Sequence, residues 1–259
     1  MPAPPPRPLG HPSRHLAAVG STMTEAAAWA AAGAPHGAVV VAAEQTAGRG
    51  RHGRAWTAAP GESRLVSVVL RPALAPERLA LVGLAAGLAA AEAADTFGAD
   101  ARLKWPNDVL APGADGALAK LAGVLAEASW TGPSAADGRT AVVLGLGLNV
   151  RQTAFPDGLA ATSLRITTGR DLDRLAPLGP FLERLAERLA EAERAPDTLL
   201  AAVEARLVGV GEPRSVRFPG TERAPVVGVV LGLAGDGALR LGTSTGALSV
   251  HAGEVTLAG

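Results

Sequence analysis

Residues 79 to 91 read "LALVGLAAGLAAA", thirteen positions without a charged or hydrogen-bonding side chain. A helix that is apolar on every side has no face for water, so other elements must enclose it. Pro76 stands at its start and Gly98 after its end, which predicts a buried helix over about 76 to 97. The run is shorter than a membrane span. The rest of the chain must therefore supply walls around it.

On the N-terminal side, "GSTMTEAAAWAAAG" (20 to 33) carries Glu25 three residues after Thr22. That is a capping-box pattern, and it opens an alanine-rich helix ending at Gly33 and Pro35. Runs at about 37 to 43 and 64 to 72 read as strands, the second bounded by Pro60–Gly61 and Pro72. Beyond the buried helix, "ARLKWP" (101 to 106), "KLAGVLAEAS" (120 to 129) and "RTAVVLGLGLNV" (139 to 150) read as three more strands. "GADGA" (113 to 117) is a turn and "TGPSAADG" (131 to 138) a loop. A helical tract over about 173 to 207 is broken near Pro177–Pro180 and at Pro196, with Glu and Arg alternating on its exposed face.

After Arg206 short valine and leucine runs are split by glycine turns such as Gly235–Asp236–Gly237. They predict four or five short strands of a small barrel over roughly 212 to 259. The fold class is α+β: a mixed sheet with flanking helices over 14–208, followed by the barrel. Residues 1–13 are proline-rich and lack the apolar core of a signal peptide, so they read as a disordered lead-in.

Composition narrows the function. A formal net charge of zero argues against a general affinity for nucleic acid or anionic membrane, so any anion-handling must be local. The absence of cysteine removes disulfides and thiolate metal sites and fits a cytoplasmic protein. Of 24 basic residues only Lys104 and Lys120 are lysine, and Asn107 and Asn149 are the only asparagines. In so arginine-biased a chain a retained lysine is informative, because a guanidinium fork does not copy a compact point charge.

The stretch "EQTAGRGRHGRAW" (44 to 56) threads Arg49, Arg51 and Arg54 through Gly48, Gly50 and Gly53. The glycine spacing matches a dinucleotide-binding turn, yet "RAWTAAPGES" is a poor helix, and Arg71 stands where a ribose-binding acid would be expected. An RGG-type tether would be longer and repeated. What remains is a loop whose glycines allow close backbone approach and whose arginines fold over an anionic ligand. A plain hairpin with solvated charges does not account for three arginines in six residues beside Trp56.

Three further motifs are weaker alone. In "LKWPNDVL" (103 to 110), Trp105–Pro106 ends a strand and Asn107–Asp108 can project into a cleft, although Asn-Asp is also common turn chemistry. Asp108 there could hold magnesium or orient an amine, with Lys104 facing a phosphate or carboxylate. In "KLAGVLAE" (120 to 127), strand alternation puts Lys120, Ala122, Val124 and Ala126 on one face, with Gly123 beside Lys120. "GLGLNV" (145 to 150) ends a buried strand with two glycines and Asn149.

Taken in order, "ST" (21 to 22), "QTAGRGRHGRAW" (45 to 56), "KWPNDV" (104 to 109), "KLAGVLAE", "GLGLNV" and "ATSL" (161 to 164) resemble the motifs of the biotin–protein ligases. The resemblance runs from about residue 10 to the C-terminus, and the GRGRxGRxW and KWPND pair is its most specific part. It implies a class II synthetase-like catalytic domain (the biotin–lipoate ligase fold) with an SH3-like barrel over 212–259. It also implies a two-step reaction. Biotin and MgATP give biotinyl-5′-AMP and pyrophosphate, and a lysine of a biotin carboxyl carrier domain then takes the biotinyl group.

By matching position, the resemblance assigns Ser21, Thr22, Gln45, Gly48, Arg49, Gly50, Arg51, Lys120, Gly123, Leu125 and Gly145 to biotin. It assigns Arg49, Arg51, Arg54, Trp56, Lys104, Asn107, Asp108 and Asn149 to ATP and the adenylate, with Asp108 at the metal. Lys120, Arg49 and Arg51 are the implied catalytic residues. Some relatives dimerise through the central sheet, so a homodimer is compatible with the resemblance.

Departures accompany it. Met23 stands where a small polar residue is usual, His52 replaces a common Arg, and Ala119 precedes Lys120 where a basic residue is frequent. Bifunctional members carry an N-terminal helix-turn-helix domain. Here about 15 proline-rich residues precede the catalytic domain, so no operator binding is expected. A lipoate or octanoate ligase or transferase shares the fold class, but the motif pair is of the biotin type. A nucleic-acid-binding module is disfavoured by the zero net charge and by a barrel without aromatic platforms.

Overall fold

The computed structural model describes residues 5–129 and 140–256. The first half builds β1 (Ser13–Val19), α1 (Thr22–Ala31), β2 (Val39–Gln45), β3 (Ser63–Leu70), α2 (Ala80–Asp95), β4 (Arg102–Lys104), β5 (Asp108–Pro112), β6 (Leu118–Ser129) and β7 (Ala141–Asn149). They form a seven-stranded sheet in the order β1-β2-β3-β7-β6-β5-β4. Only β1 and β2 pair in parallel, with α1 as their crossover, so the sheet is mixed.

The two sheet faces are covered unequally. On one, Met23, Ala26 and Ala30 of α1 pack against Val40, Val69 and Val143. On the other, α2 lies against Val66, Val68, Val124 and Leu144 in the main core. The expected enclosure of α2 is realised, since Leu81, Leu88, Ala86 and Ala90 are buried. Its outer wall follows α3 (Leu164–Thr168) and is α4 (Leu178–Arg194), whose Phe181, Leu185 and Leu189 face inward while Arg184 and Glu187 pair on the solvent side. α5 (Pro196–Glu204) completes the layer.

The last stretch forms β8 (Pro213–Arg217), β9 (Val226–Leu233), β10 (Leu239–Thr243), β11 (Gly246–Val250) and β12 (Glu254–Val255), an antiparallel sheet ordered β11-β10-β9-β8-β12. Its Val216, Val230, Leu239 and Leu241 join the core that surrounds α2. The indole Nε1 of Trp105 donates to Gly237 O at 3.1 Å, and Leu103 exchanges backbone bonds with Arg206 and Val208. The end of β4 is thereby bolted to the second sheet.

Several expectations are corrected. From Arg7 onward the lead-in is not disordered: Arg7 donates to Arg71 O at 3.0 Å and pairs with Glu193 at 2.8 Å, and Gly10 N donates to Gly37 O. β1 was not expected because this edge strand is solvent-exposed on both faces and carries no hydrophobic alternation. β5 was hidden beside the "APGADGA" turn, and α3 is only five residues long. α4 is not interrupted at Pro180, which falls in its first turn, where a missing N–H is tolerated. The loop at 131 to 138 lies outside the described residues. Among those described, no helix is long and apolar enough to cross a membrane.

Candidate active site

On α1's face of the sheet, just past the start of that helix, lies a cavity of about 250 Å³. Its floor is bare backbone: Gly145 and Gly147 of β7 and Gly123 of β6. The ring of Trp56 rests on this floor. A Cβ added at Gly147 would stand 2.3 Å from the indole, and one at Gly123 would stand 3.1 Å from it. Gly147 of "GLGLNV" and Gly123 of "KLAG" are therefore required by the aromatic ring above them. Gly48 plays a similar part in the loop, where a Cβ would meet Trp56 O at 2.3 Å. The loop's limbs are tied by Trp56 N to Gly48 O and by Gly50 N to Arg54 O.

One end of the cavity is neutral and polar. Gln45 Oε1 accepts from Thr22 N at 2.7 Å and from Thr22 Oγ1 at 2.9 Å, and Ser67 Oγ donates to Thr22 Oγ1 at 2.9 Å. Ser21 is the N-cap of α1, but its hydroxyl caps nothing and is buried without a partner. The expected capping box is thus not formed. The Thr22 hydroxyl turns to Gln45 instead of back onto the helix, and Ser21 Oγ is left as an unpaired buried hydroxyl on a residue that lines the cavity.

The other end is charged. Lys120 Nζ lies 2.6 Å from Asp108 Oδ1, and Lys104 Nζ lies 3.8 Å from Asp108 Oδ2. Lys120 does not share a face with Ala122 and Val124, as alternation predicted. Leu110 pairs with Lys120 while Val109 pairs with Ala122, so Leu121 is an extra residue and β6 bulges there. A bulge re-aims the preceding side chain, and the Lys120 ammonium comes to stand beside Gly123, 5.6 Å from the centre of the Trp56 ring.

The three loop arginines part company. Arg51 donates to Asn107 Oδ1 and to Gly253 O, each at 3.3 Å. Burial holds its pKa below the usual arginine value, Asp108 opposes that, and Arg54 adds to it. Arg54 forms an ion pair with Glu254 of β12, and His52 Nε2 lies 3.9 Å from the same carboxylate. The His52 pKa is lowered by burial, then by Arg51 and Arg54. Arg49 pairs with Glu127 on the more exposed side of the loop.

Asn149 is enclosed. Its Nδ2 donates to Thr162 O at 3.0 Å and Lys120 O at 3.4 Å, while its Oδ1 accepts from Gln152 Nε2 at 3.1 Å and Ser63 Oγ at 3.5 Å. Its amide straps β6 at Lys120 to the "ATSL" segment. The carbonyl of Gln152 in turn accepts from Ser163 Oγ, which caps α3 through Ile166 N.

The structure thus brings every sequence-assigned residue to this cavity, Gly48 from behind the loop and the others from its lining. It adds Met23, Phe155, Leu159, Ala161 and Glu254. Phe155 and Leu159 had no chemical signature, and Glu254 reaches the loop from the second sheet. Among the described residues no three His, Asp or Glu side chains gather to hold a metal ion. Asp108 offers one carboxylate, enough to touch a magnesium ion carried on nucleotide phosphates but not to hold one unaided.

A cavity with a neutral hydrogen-bonding end and a cationic end suits an acid whose carboxylate meets a phosphate. Residues 16–149 match the sequence model of the Biotin/lipoate A/B protein ligase family. The chain belongs to that family. It is 36% identical over 246 residues to a biotin–[acetyl-CoA-carboxylase] ligase of Mycobacterium tuberculosis, covering 93% of this chain and 86% of the relative. It is 35% identical over 257 residues to a ligase of the same description from Paracoccus denitrificans, covering 94% and 100%. The solved structure of a biotin protein ligase from Aquifex aeolicus in complex with biotin and ATP is similar with a TM-score of 0.79 and 28% identity, over 95% of this chain and 98% of that one.

Proposed function

We propose that this chain is an ATP-dependent biotin–protein ligase that forms biotinyl-5′-AMP and passes the biotinyl group to a lysine of a biotin carboxyl carrier domain. The observation that carries the reading is the polarity of the cavity: Ser21, Thr22 and Gln45 at one end, Lys120, Lys104 and Arg51 at the other. The first set recognises the ureido head of biotin, and the second receives its carboxylate and the nucleotide phosphates.

In the first step a biotin carboxylate oxygen attacks the α-phosphorus of ATP, and the bond to the β-phosphate bridging oxygen breaks, releasing pyrophosphate. Charge builds on the equatorial and leaving oxygens, so fixed cations around the phosphorus lower the barrier. Lys120 serves the α-phosphate, while Arg51 and Arg54 follow the leaving pyrophosphate. Magnesium enters as part of MgATP, with Asp108 in reach of it. Trp56 and Asn149 border the nucleotide.

In the second step the carrier amine attacks the anhydride carbonyl, AMP leaves, and the amine loses a proton. Asp108, the carboxylate beside Lys120, accepts a hydrogen bond from that amine. The glycine–arginine loop roofs the site and keeps water from the anhydride. Residues 14–208 form the catalytic unit and 212–259 an SH3-like accessory unit, in a protein of the cytoplasm.

The test is incubation with biotin, MgATP and an apo carrier domain, followed by mass spectrometry of the carrier. Addition of one biotinyl mass is expected. Addition of lipoate or octanoate from a mixed acid pool, with no biotin, would overturn the reading.

A further inference from the structure

We propose that Met23 is a specificity-determining residue that sets the size and character of the ring end of the cavity; the inference rests on the biotin reading above. Met23 is the second residue of α1 and is 4% exposed, yet it lines the cavity beside Ser21, Thr22 and Gln45. Its Sδ and Cγ lie 2.8 and 2.9 Å from the point where a Cβ on Gly145 would stand. The thioether therefore lies against bare β7 backbone, as the Trp56 ring does at Gly147. These two side chains cover Gly145 and Gly147, two of the three glycines of the floor.

The ring end thus has two unlike walls. Thr22, Gln45 and Ser67 are linked by hydrogen bonds, and the unpartnered Ser21 hydroxyl stands beside them. The other is apolar, with Met23 in a buried cluster against which Leu125 packs. A thioether is polarizable and fits an apolar ring face, but it offers neither the room nor the hydrogen bond of a small polar residue. A biotin head seated here presents its ureido atoms to the hydroxyls and its hydrocarbon and sulfur face to Met23. Ring-enlarged analogues are rejected because the thioether already fills the space over Gly145.

The test compares biotin with a biotin analogue carrying one extra methyl on the bicycle, by isothermal titration calorimetry. Met23→Ala removes Cγ, Sδ and Cε, and should weaken biotin by about tenfold or more while narrowing or reversing the preference over the methylated analogue, since a methylene-sized misfit in an apolar pocket is worth on the order of tenfold to a hundredfold. Met23→Leu keeps the volume and should retain the wild-type preference. Gly145→Ala crowds the same point from the sheet and leaves α1 untouched, so it should also weaken biotin, and the Met23→Ala/Gly145→Ala double variant should recover part of the loss. Folded Met23→Ala and Gly145→Ala proteins that bind both ligands as the wild type does would overturn the role of Met23 alone. A wild-type protein that binds no biotin would overturn the ligase reading and this inference together.

Discussion

Replacing Arg64 with methionine should make this protein more stable. Arg64 lies in β3 opposite Leu148, with its side chain fully enclosed, and its Nε, Nη1 and Nη2 find no hydrogen-bond partner. Burial pulls its pKa from the usual arginine value down to about 10, with Arg174 adding to the effect and Asp173 opposing it. A base whose folded pKa is lowered holds its proton less tightly when folded. The penalty is then fully present below pH about 10 and is relieved as pH rises through that value toward the usual arginine range. At neutral pH it amounts to about 3 kcal/mol.

Methionine keeps the unbranched stem and removes the charge, at a repacking cost of about 1 kcal/mol. A net gain of about 2 kcal/mol would raise Tm by about 4–8 °C in a chain of this size. Urea unfolding at pH 7, followed by circular dichroism, measures the gain directly. A loss of more than about 1 kcal/mol would refute the reasoning, because it would mean that the guanidinium is well satisfied in solution.

Other outcomes follow from the site. Lys120→Ala and Arg51→Ala should each slow pyrophosphate release on mixing with biotin and ATP by about a hundredfold or more, with far smaller effects on thermal unfolding; wild-type adenylation in both would remove them from the site. Gly147→Ala should force Trp56 off the floor, weakening nucleotide binding in titrations read by tryptophan fluorescence while leaving far-ultraviolet circular dichroism unchanged. Glu254→Gln should change stability by less than about 1 kcal/mol, because its Arg54 partner is well exposed. It should nonetheless raise pyrophosphate release in the absence of carrier, since the loop loses its hold on the second sheet; tight coupling in the variant would show that the contact is incidental.

Much of the site is legible in the sequence because its residues cluster in short segments with unusual chemistry. Three arginines among glycines, the two lysines of an arginine-rich chain and the glycine pair before Asn149 stand out against the background. The enclosed helix was equally plain, since thirteen uncharged residues leave no alternative to burial. These are local properties, carried by composition and by what a few neighbouring residues can do.

What the tertiary structure decided was the aim of side chains and the identity of distant partners. Lys120 faces the cavity because Leu121 bulges out of register with β5, and a bulge is set by the partner strand. The Thr22 hydroxyl does not cap α1 because Gln45, arriving from β2, takes it, and the Ser21 hydroxyl at the N-cap is left buried and unpaired beside the cavity. Glu254 meets the arginine loop only after the second sheet has docked on Trp105 and the core around α2. Sequence by itself determined which groups this protein holds; packing between elements far apart in the chain determined where each one points.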